Sequence, residues 1–287
     1  HAAAPINLEQ SFPRHSPSLD GTPRASYSKR IVGGSMSIVS FLKNRLRRKP
    51  APNASPSGDP RALKAVNVAM VDALMGALPH DEAMAVAIGG DWEFGGKVQT
   101  ALLKHYGLPP QGFLIDVGCG AGRLAKTLSE QHPGGYLGID LVPALVNNAQ
   151  RDTPRPDWTF EVIEHIGIPA PETSADMVCC FSVMTHLLHE QSYWYLEEAH
   201  RVLKTGGRVV LSFLEFQEPW HFEHVFKPTV AGAKSGSAAP LNVFLDRAAI
   251  ALWANDIGFD VVEFRGGGDE VTPAGNLGQA LCVLEKR

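Results

Sequence analysis

The chain has 287 residues and a net charge of −4, with 44% hydrophobic and 20% charged residues. This composition is typical of a globular protein and excludes a wholly disordered, collagen-like or coiled-coil chain. No apolar stretch reaches the ~18 residues that a membrane-spanning helix needs, so the composition also argues against an integral membrane protein.

The charge is distributed unevenly along the chain. Residues 36–50 contain five basic residues and no acidic one, whereas residues 51–287 contain 17 basic and 28 acidic residues, a net charge of −11. Because binding to nucleic acid depends on neutralising phosphates, the acidic main body argues against a nucleic-acid partner. The four cysteines show no C-x-x-C spacing, which favours a reducing cytoplasm over a disulfide framework or a metal site.

The N-terminal 60 residues fall into two parts. Residues 1–35 begin with His1 and are rich in Pro, Ser, Arg and Gly without apolar periodicity, so we interpret them as a tag or a disordered leader. Residues 36–60 form a basic amphipathic segment followed by a linker. That segment suits either a helix that lies on a membrane surface or a helix that packs on its own domain.

Helical periodicity begins after the linker. Apolar residues recur at helical spacing in three stretches, which are 63–78, 81–88 and 97–106. We expect residues 61–96 to form an N-terminal helical lid over a domain that spans residues 97–287.

Strands and helices alternate in the rest of the chain. The predicted strands are 113–117, 136–139, 159–163, 177–183, 208–213, 260–264 and 279–284, and helical patterns separate most of them. This order predicts an α/β fold, a Rossmann-like, seven-stranded and mostly parallel sheet with helices on both faces. The connection over residues 265–278 is rich in glycine and lacks a helical pattern, so we expect the last strand to run antiparallel.

The strongest motif follows the first predicted strand. Gly118, Gly120 and Gly122 stand where a strand turns into a helix, and such glycines let the backbone approach a ligand without interference from Cβ atoms. Asp140 ends the second strand, 18 residues beyond Gly122, where a carboxylate can accept hydrogen bonds from both hydroxyls of a ribose. Arg123 occupies the place of the third glycine of the dinucleotide fingerprint, which argues against a dinucleotide.

Asp116 followed by these three glycines resembles motif I of the class I S-adenosylmethionine-dependent methyltransferases, in particular a bacterial branch that acts on small molecules and polysaccharides. Specific matches extend over residues 89–215, and the strand pattern matches more loosely to residue 287. The resemblance implies S-adenosyl-L-methionine as cofactor and S-adenosylhomocysteine as product. It implies no metal.

The resemblance also implies a set of cofactor-binding residues. Asp140 would hold the ribose, and Glu164, which follows strand three, would contact the adenine amino group, although the family usually has Asp there. Trp92 or Phe94 would cover the ligand. The cofactor-binding residues expected in this way are Trp92, Asp116, Gly118, Cys119, Gly120, Gly122, Arg123, Asp140, Leu141, Glu164, His165 and Phe181.

Three residues are candidates for catalysis. His186 follows strand four, where the family often has a histidine in the pocket, and it is the first candidate for a general base. Glu215 and His221 follow strand five and come next, although a single histidine is more often packed or solvated than catalytic. Residues 217–245 form an insertion at the carboxyl end of the sheet, where we expect acceptor binding.

We therefore predict an S-adenosylmethionine-dependent methyltransferase that acts on a small-molecule or glycan acceptor, at oxygen. The stretch after strand four lacks an Asn/Asp-Pro-Pro-aromatic tetrad, which argues against methylation of nucleobase amines. Three alternatives stay open: a small-molecule N-methyltransferase, an NAD(P)-dependent oxidoreductase, and a non-catalytic cofactor-binding module held at a membrane by residues 36–50. We expect a cytoplasmic location, with contact to the inner membrane surface through that segment.

Overall fold

The computed structural model describes the backbone of residues 60–236 and 241–287, and the side chains from residue 64 onward in these ranges. The predicted leader and the basic amphipathic segment lie outside the described residues. The helices are α1 (Pro60–Met75), α2 (His80–Ile88), α3 (Trp92–His105), α4 (Arg123–Ser129), α5 (Pro143–Asp152), α6 (His189–Val202), α7 (Lys227–Lys234) and α8 (Arg247–Ile257). The strands are β1 (Leu114–Val117), β2 (Tyr136–Asp140), β3 (Thr159–Val162), β4 (Ala175–Cys180), β5 (Leu203–Phe213), β6 (Phe259–Arg265) and β7 (Ala280–Lys286).

The seven strands form one sheet in the order β3-β2-β1-β4-β5-β7-β6. Strands β1 to β5 pair in parallel, and β7 lies antiparallel between β5 and β6. The predicted fold class, including the antiparallel last strand, is therefore confirmed. No helix in the described part of the chain is both long and apolar enough to cross a bilayer.

Side chains on the two faces of the sheet pack under different helices. Along β1, Ile115 and Val117 belong to a core cluster with residues of α6 and α8, whereas Leu114 belongs to a second cluster with residues of α3 and α4. This alternation follows from the period of two along a strand. Both faces of β1 are buried, as is usual in a parallel sheet.

Helices α1 and α2 pack on the beginning of the α/β domain. Val71 and Leu74 of α1 and Met84 of α2 form a third apolar cluster with Ala121 and Val142, which follow β1 and β2. The two helices are thereby fixed over the glycine turn after β1.

Helix α3 begins five residues before the predicted helix 97–106. Asp91 caps its N-terminus, because an Asp91 carboxylate oxygen accepts a hydrogen bond from the Phe94 backbone N–H at 2.9 Å. Gly95 and Gly96 indicate a break in the sequence, but here they allow close packing. A Cβ on Gly96 would lie 2.3 Å from Oγ1 of Thr127 in α4.

Two other segments differ in detail from the prediction. Helix α6 ends at Val202, and the Gly206–Gly207 pair that follows belongs to an irregular part of β5. The predicted insertion over 217–245 contains a helical run from Pro219 to Lys234. Its return segment is fixed to the end of β5 by a hydrogen bond from the Leu245 N–H to the Leu214 carbonyl at 2.8 Å.

Candidate active site

A cavity lies at the carboxyl ends of β1, β2 and β4, where ligands bind in open α/β sheets. Its lining residues are Asn67, Val117, Gly118, Asp140, Leu141, Ile163, Ser182, Val183, His186, Leu187 and Tyr195. The cavity encloses about 140 Å³, which is less than the ~300–1,000 Å³ of typical ligand sites.

The glycine turn approaches the cavity closely. Gly118 and Gly120 have φ angles of 71° and 56°, a backbone region that favours glycine. A Cβ on Gly118 would lie 2.4 Å from Cγ2 of Val183, and one on Gly120 would lie 2.9 Å from Cγ2 of Ile88 in α2. These two positions accept no larger residue without a shift of their neighbours.

Asp140 is held rigidly beside this turn. Its Oδ2 accepts a hydrogen bond from the Gly120 N–H at 3.0 Å, and its Oδ1 accepts one from the Val142 N–H at 3.0 Å. A carboxylate has about four acceptor positions, so about two stay free to bind a pair of vicinal hydroxyls. Burial raises the pKa of Asp140, whereas the hydrogen bonds from Val142 and Gly120 oppose that rise.

His186 lies in a short 3-10 turn after β4, and its ring has a defined orientation. Its Nδ1 lies 2.7 Å from the carbonyl oxygen of Leu241, in the return segment of the insertion, and only an N–H can hydrogen-bond to a carbonyl. In the neutral ring, Nε2 then carries the lone pair. This atom has no hydrogen-bond partner among the described residues, and the ring lines the cavity.

Ser182 is a strained residue at the same edge. It follows β4 with a φ angle of 61°, which is uncommon for a residue other than glycine. Its N–H donates to Oγ of Ser212 at 2.7 Å, and Ser212 Oγ in turn donates to Oε1 of Gln279 at 2.7 Å. Ser182 Oγ donates to the same Oε1 at 3.2 Å. The last strand is thus connected to the edge of the cavity.

Asp116 lies away from the cavity, on the α3–α4 face of the sheet. It is buried and accepts hydrogen bonds from the Tyr136 hydroxyl at 2.6 Å and from the Cys179 thiol at 3.4 Å. Burial raises the pKa of Asp116 to about 6, although these two hydrogen bonds lower it. Its position indicates a structural role in the sheet.

Three further residues of the turn have packing roles in this structure. Gly122 begins α4 with a φ angle of 93°, and a Cβ there would lie 2.7 Å from the Ala149 Cα in α5. Arg123 donates from a terminal guanidinium nitrogen to the Gly89 carbonyl at 2.8 Å, which joins α4 to the α2–α3 connection. Cys119 is buried, and burial raises the pKa of its thiol.

Four further residues expected at the cofactor also lie outside the cavity lining. The Glu164 carboxylate is 75% exposed and forms an ion pair with Lys64 Nζ of α1 at 2.7 Å. His165 is exposed, and Phe181 is buried in the apolar cluster of the α3–α4 face. Trp92 packs against the cluster formed by α1 and α2. Phe94, the other aromatic residue considered as a cover, is 38% exposed.

Two of the expected catalytic residues are engaged in structural contacts. Glu215 is 3% exposed, and Arg247 of α8 binds both its carboxylate oxygens at 2.7 Å. His221 is fully buried. Its Nδ1 accepts from the Glu215 N–H at 3.1 Å, and its Nε2 donates to the Gly278 carbonyl at 2.9 Å. Neither side chain lines the cavity, so of the three candidates only His186 does.

The sequence did not single out several residues that line the cavity. Asn67 comes from α1, and its amide has no hydrogen-bond partner among the described residues. Tyr195 comes from α6 and is 5% exposed, and its hydroxyl also has no partner there. A hydroxyl in the cavity lining without a protein partner is available to bind a ligand. The spacing of Tyr195 along α6 could have indicated that it faces the sheet, whereas no pattern in α1 marks Asn67.

This set of residues fits S-adenosylmethionine. Asp140 offers acceptors to a ribose, and unpartnered polar groups of Asn67, Tyr195 and His186 meet in the same cavity. The cofactor has no phosphate, and the guanidinium of Arg123, the charged group of the turn, already binds Gly89. In the described residues, no cluster of His, Cys, Asp and Glu side chains could hold a metal ion.

Comparisons with known proteins agree with this geometry. Residues 115–211 match the family model of the methyltransferase domain. The chain is 34% identical over 129 residues to malonyl-[acyl-carrier protein] O-methyltransferase of Hahella chejuensis, covering 42% of this chain and 44% of that one. It is 32% identical over 123 residues to ribosomal RNA small subunit methyltransferase C of Pseudomonas putida, covering 40% of this chain and 37% of that one.

Among solved structures, a SAM-dependent methyltransferase of Methanosarcina mazei superposes with a TM-score of 0.53 at 19% identity, covering 64% of this chain and 96% of that one. The predicted fold is thus confirmed, and the match of residues 115–211 to a methyltransferase domain agrees with the predicted enzyme class. The chain spans less than half the length of the curated relatives that it matches.

Proposed function

We propose that the protein is an active methyltransferase that uses S-adenosyl-L-methionine to methylate an oxygen atom of a small-molecule or glycan acceptor. The observation that carries this proposal is the shared cavity of Asp140 and His186, a carboxylate with acceptor positions left free by its two backbone donors and a histidine with a free Nε2. When bound, S-adenosylmethionine supplies an activated methyl group.

The protein's own contribution starts with binding and orientation. The glycine turn brings the backbone close to the ligand, and Asp140, fixed by two backbone N–H groups, holds the ribose. Val183 and Leu187 are apolar side chains of the lining and exclude water from the reacting groups. Methyl transfer depends mainly on such alignment, because the acceptor atom must lie within ~3–3.5 Å of the methyl carbon.

His186 removes the proton from the acceptor. Its Nδ1–H is held by the Leu241 carbonyl, so Nε2 can accept a proton from a hydroxyl in the cavity. An amine acceptor would have a lone pair of its own after losing its ammonium proton, and would depend less on this base. The oriented histidine therefore favours methylation at oxygen over methylation at nitrogen.

The insertion supports a small or glycan-like acceptor. Phe216 and Phe244 stack at a centroid distance of 4.4 Å, and Phe226 packs against both rings. Leu241 and Val243 of the return segment hold the 3-10 turn of His186 in place, the latter through a hydrogen bond to the Thr185 carbonyl at 2.8 Å. Acceptor binding and base orientation thus share one segment. We propose that this segment and the α1–α2 helices form the walls around the acceptor.

The test combines cofactor binding with product analysis. Calorimetry with S-adenosylhomocysteine should detect binding to the full chain. Incubation with methyl-tritiated S-adenosylmethionine and separate sets of phenols, hydroxy acids, saccharides, amines and 16S ribosomal RNA should then label one of the three hydroxyl sets. Label in the amines or in the RNA would overturn the proposed acceptor class, and absence of binding would overturn the proposed function.

A further inference from the structure

Helix α1 is held on the α/β domain by an ion pair next to β3 as well as by apolar packing. Lys64 is 18% exposed, and its Nζ lies 2.7 Å from Oε1 of Glu164, directly after β3. One helical turn later, Asn67 lines the cavity that contains Asp140 and Leu141. The ion pair therefore fixes the turn of α1 that carries Asn67.

The amide of Asn67 has no hydrogen-bond partner among the described residues, although the side chain is half-buried and faces a lining that includes Val117, Ile163 and Leu187. Tyr195, whose hydroxyl also has no hydrogen-bond partner among the described residues, lines the same cavity from α6. Asn67 and Tyr195 thus present two polar groups without protein partners to a ligand in one cavity, and an amide and a hydroxyl can each both donate and accept a hydrogen bond.

We propose that Asn67 is a cofactor-binding residue, so that α1 forms part of the S-adenosylmethionine site and closes on the bound nucleoside. This inference rests on the proposed function and extends it to a helix outside the segment that matches the methyltransferase domain. The Lys64–Glu164 ion pair holds the N-terminal half of α1, and the apolar contacts of Val71 and Leu74 hold its C-terminal half.

The proposal gives Glu164 a role different from the one that its sequence position implies. Its carboxylate binds the ammonium group of Lys64, and the carboxylate is 75% exposed. Asn67, three residues after Lys64 on α1, lines the cavity and offers both a donor and an acceptor. An amide that offers both is suited to the edge of an adenine base or to ribose hydroxyls.

The substitution Asn67→Ala tests the proposal. Alanine favours a helix more than asparagine does, so weaker binding could not be attributed to unfolding of α1. Removal of one hydrogen-bonding group should weaken S-adenosylhomocysteine binding roughly 3- to 10-fold in calorimetry. The matched control is Val66→Ala, because Val66 is the neighbouring residue of α1, is 50% exposed and does not line the cavity.

Hydrogen exchange gives a second measurement that does not depend on turnover. In the wild type, S-adenosylhomocysteine should slow amide exchange in α1 as well as in the glycine turn. In Asn67→Ala the slowing in α1 should be reduced while that of the glycine turn persists. Wild-type affinity of Asn67→Ala, together with unaltered exchange in α1, would overturn the proposal for α1 alone. No binding by the wild-type chain would overturn the proposed function and this inference with it.

Discussion

Asp140→Ala is the substitution that tests the cofactor site most directly. The carboxylate uses about half of its acceptor capacity on the N–H groups of Gly120 and Val142, and the rest faces the cavity. Alanine has two effects. It removes the acceptors for a ribose, and it removes the hydrogen bond that connects the glycine turn to the end of β2.

The expected loss follows from the number of hydrogen bonds. Each hydrogen bond to a charged group contributes about 1.5–3 kcal/mol, so two bonds to ribose hydroxyls contribute about 3–6 kcal/mol. Since ~1.4 kcal/mol corresponds to a tenfold change in affinity, the dissociation constant for S-adenosylhomocysteine should rise by about 10²- to 10⁴-fold. Such a change is measurable by titration calorimetry.

A matched control exists at the opposite edge of the sheet. Asp176 also holds backbone and side-chain donors, since its carboxylate accepts from the Phe113 N–H at 2.8 Å and from Lys204 Nζ at 2.8 Å. Asp176→Ala should lower the melting temperature but leave the affinity for S-adenosylhomocysteine unchanged. The reasoning fails if Asp140→Ala, shown to be folded by circular dichroism, binds within tenfold of the wild type.

Three other outcomes follow from the geometry. His186→Ala should lower kcat about 10²- to 10⁴-fold without weakening S-adenosylhomocysteine binding. The control is His189→Ala, which removes a histidine bonded to the insertion at the Phe244 carbonyl and should keep most of the activity. Equal kcat values for the two variants would exclude His186 as the base. The pKa of Asp116 is about 6 in the folded chain, against an ordinary value of 3.8. The folded chain therefore keeps this proton more strongly than the unfolded chain, and the free energy of unfolding falls as the pH rises from 3.8 to 6. The loss reaches about 3 kcal/mol above pH 6. Asp116→Asn should therefore raise the melting temperature at pH 7.5 but not at pH 4.5, and an equal effect at both pH values would contradict this account. Arg247→Ala should lower the free energy of unfolding in urea by about 3 kcal/mol, because Glu215 would remain as a buried, unpaired carboxylate; unchanged stability would show that the ion pair contributes nothing.

The sheet and the position of Asp140 beside the glycine turn were predictable because local patterns determine them. Alternating apolar strands and helices fix the α/β class, and the spacing of Asp140 from the glycine turn depends on a single βαβ unit. Antiparallel β7 followed from a connection too short and too rich in glycine to cross the sheet. Each of these features involves residues close together in the chain.

The roles of other residues depend on contacts between distant parts of the chain. His221 resembles a catalytic residue by position, but Gly278, 57 positions later, accepts a hydrogen bond from its Nε2. Glu164 pairs with Lys64, which lies 100 positions earlier. Asn67 lines the cavity because α1 packs back over the glycine turn. No local pattern contains these contacts.

The chain enters and leaves the described fold at opposite edges of the sheet. Because β7 is antiparallel, Gln279, just before its first residue, lies at the edge of the sheet that carries the cavity. Lys286, at the end of β7, pairs with Phe259 at the opposite edge. Pro60, in contrast, begins the helix that carries Asn67 into the cavity lining. A fluorophore or an affinity handle added after Arg287 would therefore emerge away from the cavity, whereas one added just before α1 would act on the ligand site itself. Binding measurements on this protein should be made with the C-terminal attachment.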